Sequence, residues 1–188
     1  MATTLPTPAA ASKLVGYLLS KGISGVRPLS SAHDLAREYL LDQGYLNNDE
    51  RVSSLIRWET TKNFTSGFIS GLGGVVTLPV AIPAALGASW LIQARMAGAI
   101  ACIYGHRLTD DRVRTMILLS LAGDAAKEVI KSVGIKFSQK LTERAIAQIP
   151  GRALIEINKA IGFRLLTKAG ERGLVNFSGS SGNRVGLL

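Results

Sequence analysis

Charge is missing where a chain of this length normally has it: from Asn63 to Ala94 there are 32 consecutive residues without one ionisable side chain. Cysteine is almost missing as well. Cys102 is the single one, so an intrachain disulfide is impossible and a zinc site built on several thiolates is excluded. Flanked by Ala101 and Ile103, it reads as a small buried apolar residue. The two histidines, His33 and His106, are far apart and give no metal pair at helical spacing. Serine, aspartate and lysine are plentiful but form no nucleophile motif. The expectation is therefore a protein with no catalytic residues, no metal and no cofactor. Aromatic residues make up only 6% of the chain, which argues against stacking platforms for nucleic acid.

What is present points to helices and to an apolar surface. At 188 residues the chain is long enough for one well-buried domain and short for two. Its apolar fraction of 47% fits an all-α domain that is either tightly packed or touches lipid. The net charge of +9 arises largely in the C-terminal half. There Lys127, Lys131, Lys136, Lys140, Lys159, Arg164 and Lys168 form a candidate basic surface. A basic face beside an apolar segment fits an anionic membrane or lipid as partner better than DNA. The apolar run Leu14 to Leu19 is too short, and too closely bracketed by Lys13 and Lys21, for a signal peptide. A cytoplasmic location, at a membrane, is the expectation.

Helical punctuation divides the rest. Residues 1–30, with Pro6, Pro8, Gly22, Gly25 and Pro28, read as a flexible arm carrying a short helix around Ser12 to Ser20. Residues 31–176 read as one helical domain. Ser31 caps a helix that ends before Gly44, and Asn48 or Asp49 caps a second with Val52, Leu55 and Ile56 on one face. After the uncharged segment, a helix runs to about Tyr104 and stops at Gly105. Thr109-Asp110-Asp111 starts another, with Val113, Met116, Ile117 and Leu121 at helical spacing. Asp124 restarts the chain after Gly123, and helices over Lys136 to Ile149 and Gly151 to Lys168 follow, the last with Leu154, Ile157, Ile161 and Leu165 on one face. Residues 177–188, rich in serine and glycine, read as a disordered tail. Four polar residues fall on apolar faces and are expected to be buried: Glu59, Arg95, Asp124 and Asn158.

The uncharged segment itself has the composition of a helical hairpin. Gly67, Gly71, Gly73 and Gly74 precede Pro79 and Pro83, which oppose helical continuation and suit the first turn of a new helix. As a helix, Asn63 to Leu78 would be about 24 Å long at ~1.5 Å per residue. That falls short of the roughly 30 Å hydrocarbon core. The helix that follows is long enough but contains Gln93 and Arg95. A hairpin dipping into one leaflet meets both constraints, with Phe64, Phe68, Leu72, Val76, Leu78, Pro79, Pro83, Leu86 and Trp90 as lipid-contacting candidates. In water the same hairpin would be the buried centre of a bundle. Gly71-Leu72-Gly73-Gly74 lacks the Gly-Lys-Ser/Thr ending of a phosphate loop and follows no strand, so nucleotide binding is not expected.

The stretch GFISGLGGVVTLPVAIPAALGASWLIQARMAGAIACIYGHRLTDDRVRTMILLSLAG, from Gly67 to Gly123, resembles the EcsC protein family. So does GIKFSQKLTERAIAQIPGRALIEINKAIGFRLLTKAGERGLVN, from Gly134 to Asn176. The family's later Gly-rich apolar segment has no counterpart in Phe177 to Leu188, so the resemblance implies a truncated or divergent member. The resemblance implies a helical, membrane-associated protein without an established activity, linked to transport and secretion, and a protein partner in a transport system. It transfers no catalytic residue. Two functions from different classes follow: a non-enzymatic membrane-attached accessory to transport, secretion or membrane organisation, and a soluble bundle whose hairpin lines a pocket for a lipid or other hydrophobic ligand. A pore-forming effector is a third.

Overall fold

The computed structural model describes residues 7–64, 84–134 and 148–181, without the side chains of residues 8, 63–64, 84–85 and 168–181. Among these residues the architecture is an all-α compact bundle. Its helices are α1 (Pro8–Ser24), α2 (Ala32–Leu41), α3 (Asn48–Phe64), α4 (Ala84–Ile103), α5 (Asp111–Ala122), the short α6 (Ala126–Ser132) and α7 (Gly151–Ser181). The sole β feature among the described residues is an isolated bridge between Val26 and Leu29.

The helix starts follow the capping chemistry. Ser31 Oγ accepts the amide of Asp34, and Asp34 returns a bond to the Ser31 amide, which closes a capping box at α2. The hydroxyl of Ser31 donates to Asp34 as well, at 2.6 Å, and these bonds hold the Asp34 carboxyl below its ordinary value. Asp110 caps α5 through the amide of Arg112. Gly105 ends α4 with a φ of +82°, a conformation that costs a glycine little.

α4 is the axis. It packs against α1, α2, α3 and α5, while α7 lies against α1, α5 and α6. Buried Leu86, Ala88, Trp90, Leu91, Ile92, Ala94, Ala99 and Ile103 cover most of its circumference, as expected of a helix with no polar stripe. The main core joins Leu86, Trp90, Leu91 and Ala94 to Leu14 and Leu18 of α1, Leu118 of α5 and Ile157, Ile161 and Leu165 of α7. A second cluster, with Leu35, Tyr39, Leu55, Ala99 and Ile103, seals α2 and α3 onto the far side of α4.

Residues 8–24, expected to belong to a loose arm, instead form a helix in the centre of the bundle, with Leu14 and Leu18 fully buried. Two details explain the difference. Pro8 sits in the first turn, where a missing amide costs nothing and Thr7 Oγ1 accepts the Ala10 amide. Gly22 is where α1 crosses α4: a Cβ there would lie 2.6 Å from Ala94 Cβ. At the other end, the backbone of α7 stays helical to Ser181, past the boundary at residue 176 beyond which a tail is expected. The helix expected over Lys136 to Ile149 lies mostly outside the described residues.

Candidate functional site

The described helices on either side of residues 65–83, α3 and α4, are clamped together by Glu59 near the end of α3 and Arg95 in the middle of α4. Arg95 of α4 donates from Nη1 to Glu59 Oε2 of α3 at 2.9 Å, from Nε to the Ser30 carbonyl at 2.7 Å and from Nη2 to Ser30 Oγ at 2.6 Å. Glu59 Oε1 lies 2.7 Å from Lys62 Nζ. The side chains of Arg95 and Glu59 are 7% and 4% exposed, so the ion pair is shielded from water and its charges balance each other. Arg95 thus binds the 25–31 loop, α3 and α4 into one unit. Burial, and then the charge of Glu59, push the neighbouring Tyr39 hydroxyl up to about 12, so it stays protonated.

Outside the clamp, the last turns of α3 expose two large apolar side chains among Arg57, Thr60, Thr61 and Lys62. Ile56 and Trp58 are 42% and 58% exposed. Lys62 Nζ sits 5.7 Å from the centroid of the Trp58 ring. Trp58 and Lys62 therefore flank the point where charge disappears from the sequence.

Of the lipid-contacting candidates, Leu86 and Trp90 are buried among the protein's own side chains in the main core. The side chain of Phe64, and Phe68, Leu72, Val76, Leu78, Pro79 and Pro83, lie outside the described residues. One described helix, over Leu86–Ile103, is long and apolar enough to cross a membrane, but it is mostly buried inside the protein and carries Arg95.

The basic residues divide in the same way. Lys127, Lys131, Lys159 and Arg164 are exposed. Arg164 pairs with Glu128 across α7 and α6, and Lys159 with Glu156 at 3.0 Å, so part of this charge is neutralised at the surface. Lys136, Lys140 and the side chain of Lys168 are outside the described residues.

Among the polar residues expected inside, Glu59 and Arg95 are buried and paired. Asp124 is not: it is exposed in the 3-10 turn Gly123–Ala125, whose tighter winding takes it off the apolar stripe. Asn158 is half-buried, and its Oδ1 has no hydrogen-bond partner among the described residues. Arg112 Nε and the fully buried Thr115 Oγ1 on α5 share that condition and were not singled out from the sequence. A threonine at helical phase with Leu118 and Leu119 gives no sequence signal, because its methyl group packs like a hydrophobe. Cys102 is half-buried, not buried, and its Sγ lies 3.5 Å from His33 Nδ1. Burial raises the thiol's pKa, which works against a reactive thiolate. No group of three metal-ligating side chains occurs among the described residues.

Two open grooves adjoin along α2 and α3. One, about 320 Å³, is lined by Glu38, Asp42, Tyr39, Tyr45, Arg57 and Trp58, among others. The second, about 660 Å³, shares Tyr45, Ser54 and Arg57 and adds Asp49 and Glu50. Tyr39 and Tyr45 stack with centroids 6.1 Å apart, and the Tyr45 hydroxyl shares a 2.8 Å hydrogen bond with Ser54 Oγ.

The molecule is thus an all-α bundle with a clamped α3–α4 junction and no metal cluster among its described residues. Comparison with protein-family models, curated proteins and solved structures returns no match. The resemblance to the EcsC family finds no support there.

Proposed function

We propose that this protein is a non-enzymatic, membrane-attached accessory of transport, secretion or membrane organisation, held at the cytoplasmic face by the uncharged segment between α3 and α4. The observation that carries the reading is the position of the Glu59–Arg95 clamp. It commits α4 to the protein interior, so the helix long enough to span a bilayer is engaged as core. The uncharged residues that precede it, 63–83, are then the segment available to lipid, and Leu86 and Trp90 are not part of the contact. Trp58 and Lys62, an exposed aromatic and a cation at the segment's root, have the composition of an interfacial anchor. Exposed Lys127, Lys131 and Lys159 add attraction to anionic headgroups. Membership of the EcsC family belongs to this same proposal, and with it a protein partner in a transport system.

Flotation tests the reading. With vesicles containing phosphatidylglycerol the folded protein is expected to rise at low salt and to rise less at 0.5 M salt, where exposed charges are screened to within roughly 4 Å. Protein that stays at the bottom of the gradient at low salt, with its helical circular dichroism intact, contradicts it.

A further inference from the structure

α7 turns one side to solvent. At about 100° per residue, exposed Arg152, Ile155, Glu156, Lys159 and Phe163 fall within an arc of roughly 100°. Ile155 and Phe163 are 55% and 45% exposed, and each lies one turn from Lys159. The acids on this surface are already engaged. Glu156 pairs with Lys159 at 3.0 Å, and Glu128 of the adjoining α6 pairs with Arg164. Exposed Arg152, Lys127 and Lys131 make no ion pair among the described residues. Five cations against two carboxylates leave the α6–α7 face with an excess of three positive charges.

The face lies toward the end of the bundle where α4 begins. Leu86, Trp90 and Leu91, from the first half of α4, share a core cluster with Val129 and Ile130 of α6 and with α7. Ala99 and Ile103, from its second half, cluster with α2 and α3 instead. α3 runs antiparallel to α4, because Asn48 donates to the Ile103 carbonyl and Glu59 meets Arg95. Trp58 and Lys62, in the last turns of α3, are therefore at that same end. Two exposed surfaces that combine aromatic and cation thus share one end of the molecule.

Charge and apolar surface together select the partner. A nucleic-acid backbone, or a purely acidic protein surface, would satisfy the cations and leave Ile155 and Phe163 against charge or water. An anionic bilayer offers headgroups to the cations and, about 5–10 Å beneath, an apolar layer to the two side chains. Lys159, between them, has an alkyl stem long enough to keep its charge among the headgroups.

We propose that the α6–α7 face is a second lipid contact, in which α7 lies flat in the interface of an anionic membrane with Ile155 and Phe163 inserted. This rests on the membrane attachment proposed for the protein, and it fixes which side of the bundle faces the lipid.

Cys102 is the single cysteine, so a Cys102→Ala background lets Phe163→Cys, or Glu38→Cys on α2 as a control, be labelled with an environment-sensitive nitrobenzoxadiazole. With phosphatidylglycerol vesicles at low salt, emission from the label at 163 is expected to shift to the blue and brighten. With phosphatidylcholine vesicles, and from the label at 38 with either lipid, no change is expected. Lys127→Gln/Lys131→Gln, at exposed positions, should lower the partition coefficient on phosphatidylglycerol vesicles about 25-fold, at about fivefold per cation. Protein that floats with no shift at 163 overturns the α7 contact and leaves attachment through residues 63–83 standing. A shift that survives Leu72→Glu supports the α7 contact and contradicts attachment through that segment. Absence of both flotation and shift overturns both. An equal shift on phosphatidylcholine vesicles, or partition that Lys127→Gln/Lys131→Gln leaves unchanged, also overturns the proposal. So does salt-sensitive self-association without vesicles in place of the shift, which assigns the face to a second copy of the chain.

Discussion

Arg95 and Glu59, 36 positions apart in the chain, meet through a 2.9 Å ion pair sealed between α3 and α4. A buried pair of this kind contributes little beyond what two well-packed apolar residues would, but breaking it leaves one charge stranded. Glu59→Leu and Arg95→Met should each lower the unfolding free energy by about 3–5 kcal/mol. The double variant Glu59→Leu/Arg95→Met should lose much less than the sum. Urea denaturation of all four proteins checks this, and additive losses would mean that the two residues do not act as a unit.

Three glycines, two at helix crossings and one away from them, should respond in opposite directions to alanine. At Gly22 a Cβ would lie 2.6 Å from Ala94 Cβ, and at Gly162 it would lie 2.8 Å from the Ala11 carbonyl oxygen, so both substitutions push α1 away from its neighbours. A loss of about 1–3 kcal/mol is expected for each. A Cβ at Gly16, in the middle of α1, meets nothing within 4 Å. Gly16→Ala should stabilise by roughly 0.5–1 kcal/mol, the helix-propensity difference. Thermal melts of the three variants separate close approach from propensity.

Leu14 and Leu18 decide how far α1 belongs to the core. Each is fully buried, so Leu14→Ala and Leu18→Ala should cost about 2–5 kcal/mol. Losses below 1 kcal/mol, measured in urea, would return α1 to the status of a loosely attached arm.

The capping box gives a prediction in pH. The Asp34 carboxyl is held below its ordinary value by the Ser31 hydroxyl and amide. A depressed carboxylate pKa stabilises the fold above the unfolded value and stops doing so as the pH falls through the folded one. Wild type should therefore exceed Asp34→Asn in stability at neutral pH, with the gap closing as the pH falls below the carboxylate range. A gap that is constant between pH 7 and pH 3 would mean that the charge of Asp34 plays no part.

The fold was legible where side chains act locally. Ser31, Asp110 and Gly105 announce helix ends because each satisfies or terminates a hydrogen-bond pattern within a few residues, and the apolar spacing of Leu154, Ile157, Ile161 and Leu165 places α7 against the core. The sequence places a short helix around Ser12 to Ser20, but not its seat in the core, because the proline and glycines around it signal a loop in isolation and Gly22 shows its value only with Ala94 across the crossing. Its Leu14, Leu18 and Ala11 spacing was the available signal. Glu59 and Arg95 stood out as charges on apolar faces, but their pairing is a long-range contact that no local pattern encodes. The α2–α3 groove was illegible for the same reason: Glu38 on α2 and Asp42 just past its end meet Arg57 and Trp58 on α3 only once both helices are seated on α4.

The central claim is that residues 63–83, and not α4, make the contact with lipid, and a charge placed within that segment tests it most directly. Leu72→Glu and Val76→Glu put a carboxylate where the account places lipid, at a cost of roughly 2.5–3.5 kcal/mol for an acidic residue at membrane depth. The account predicts that each variant unfolds like wild type in urea and no longer floats with phosphatidylglycerol vesicles at low salt. Variants that float as well as wild type would contradict it.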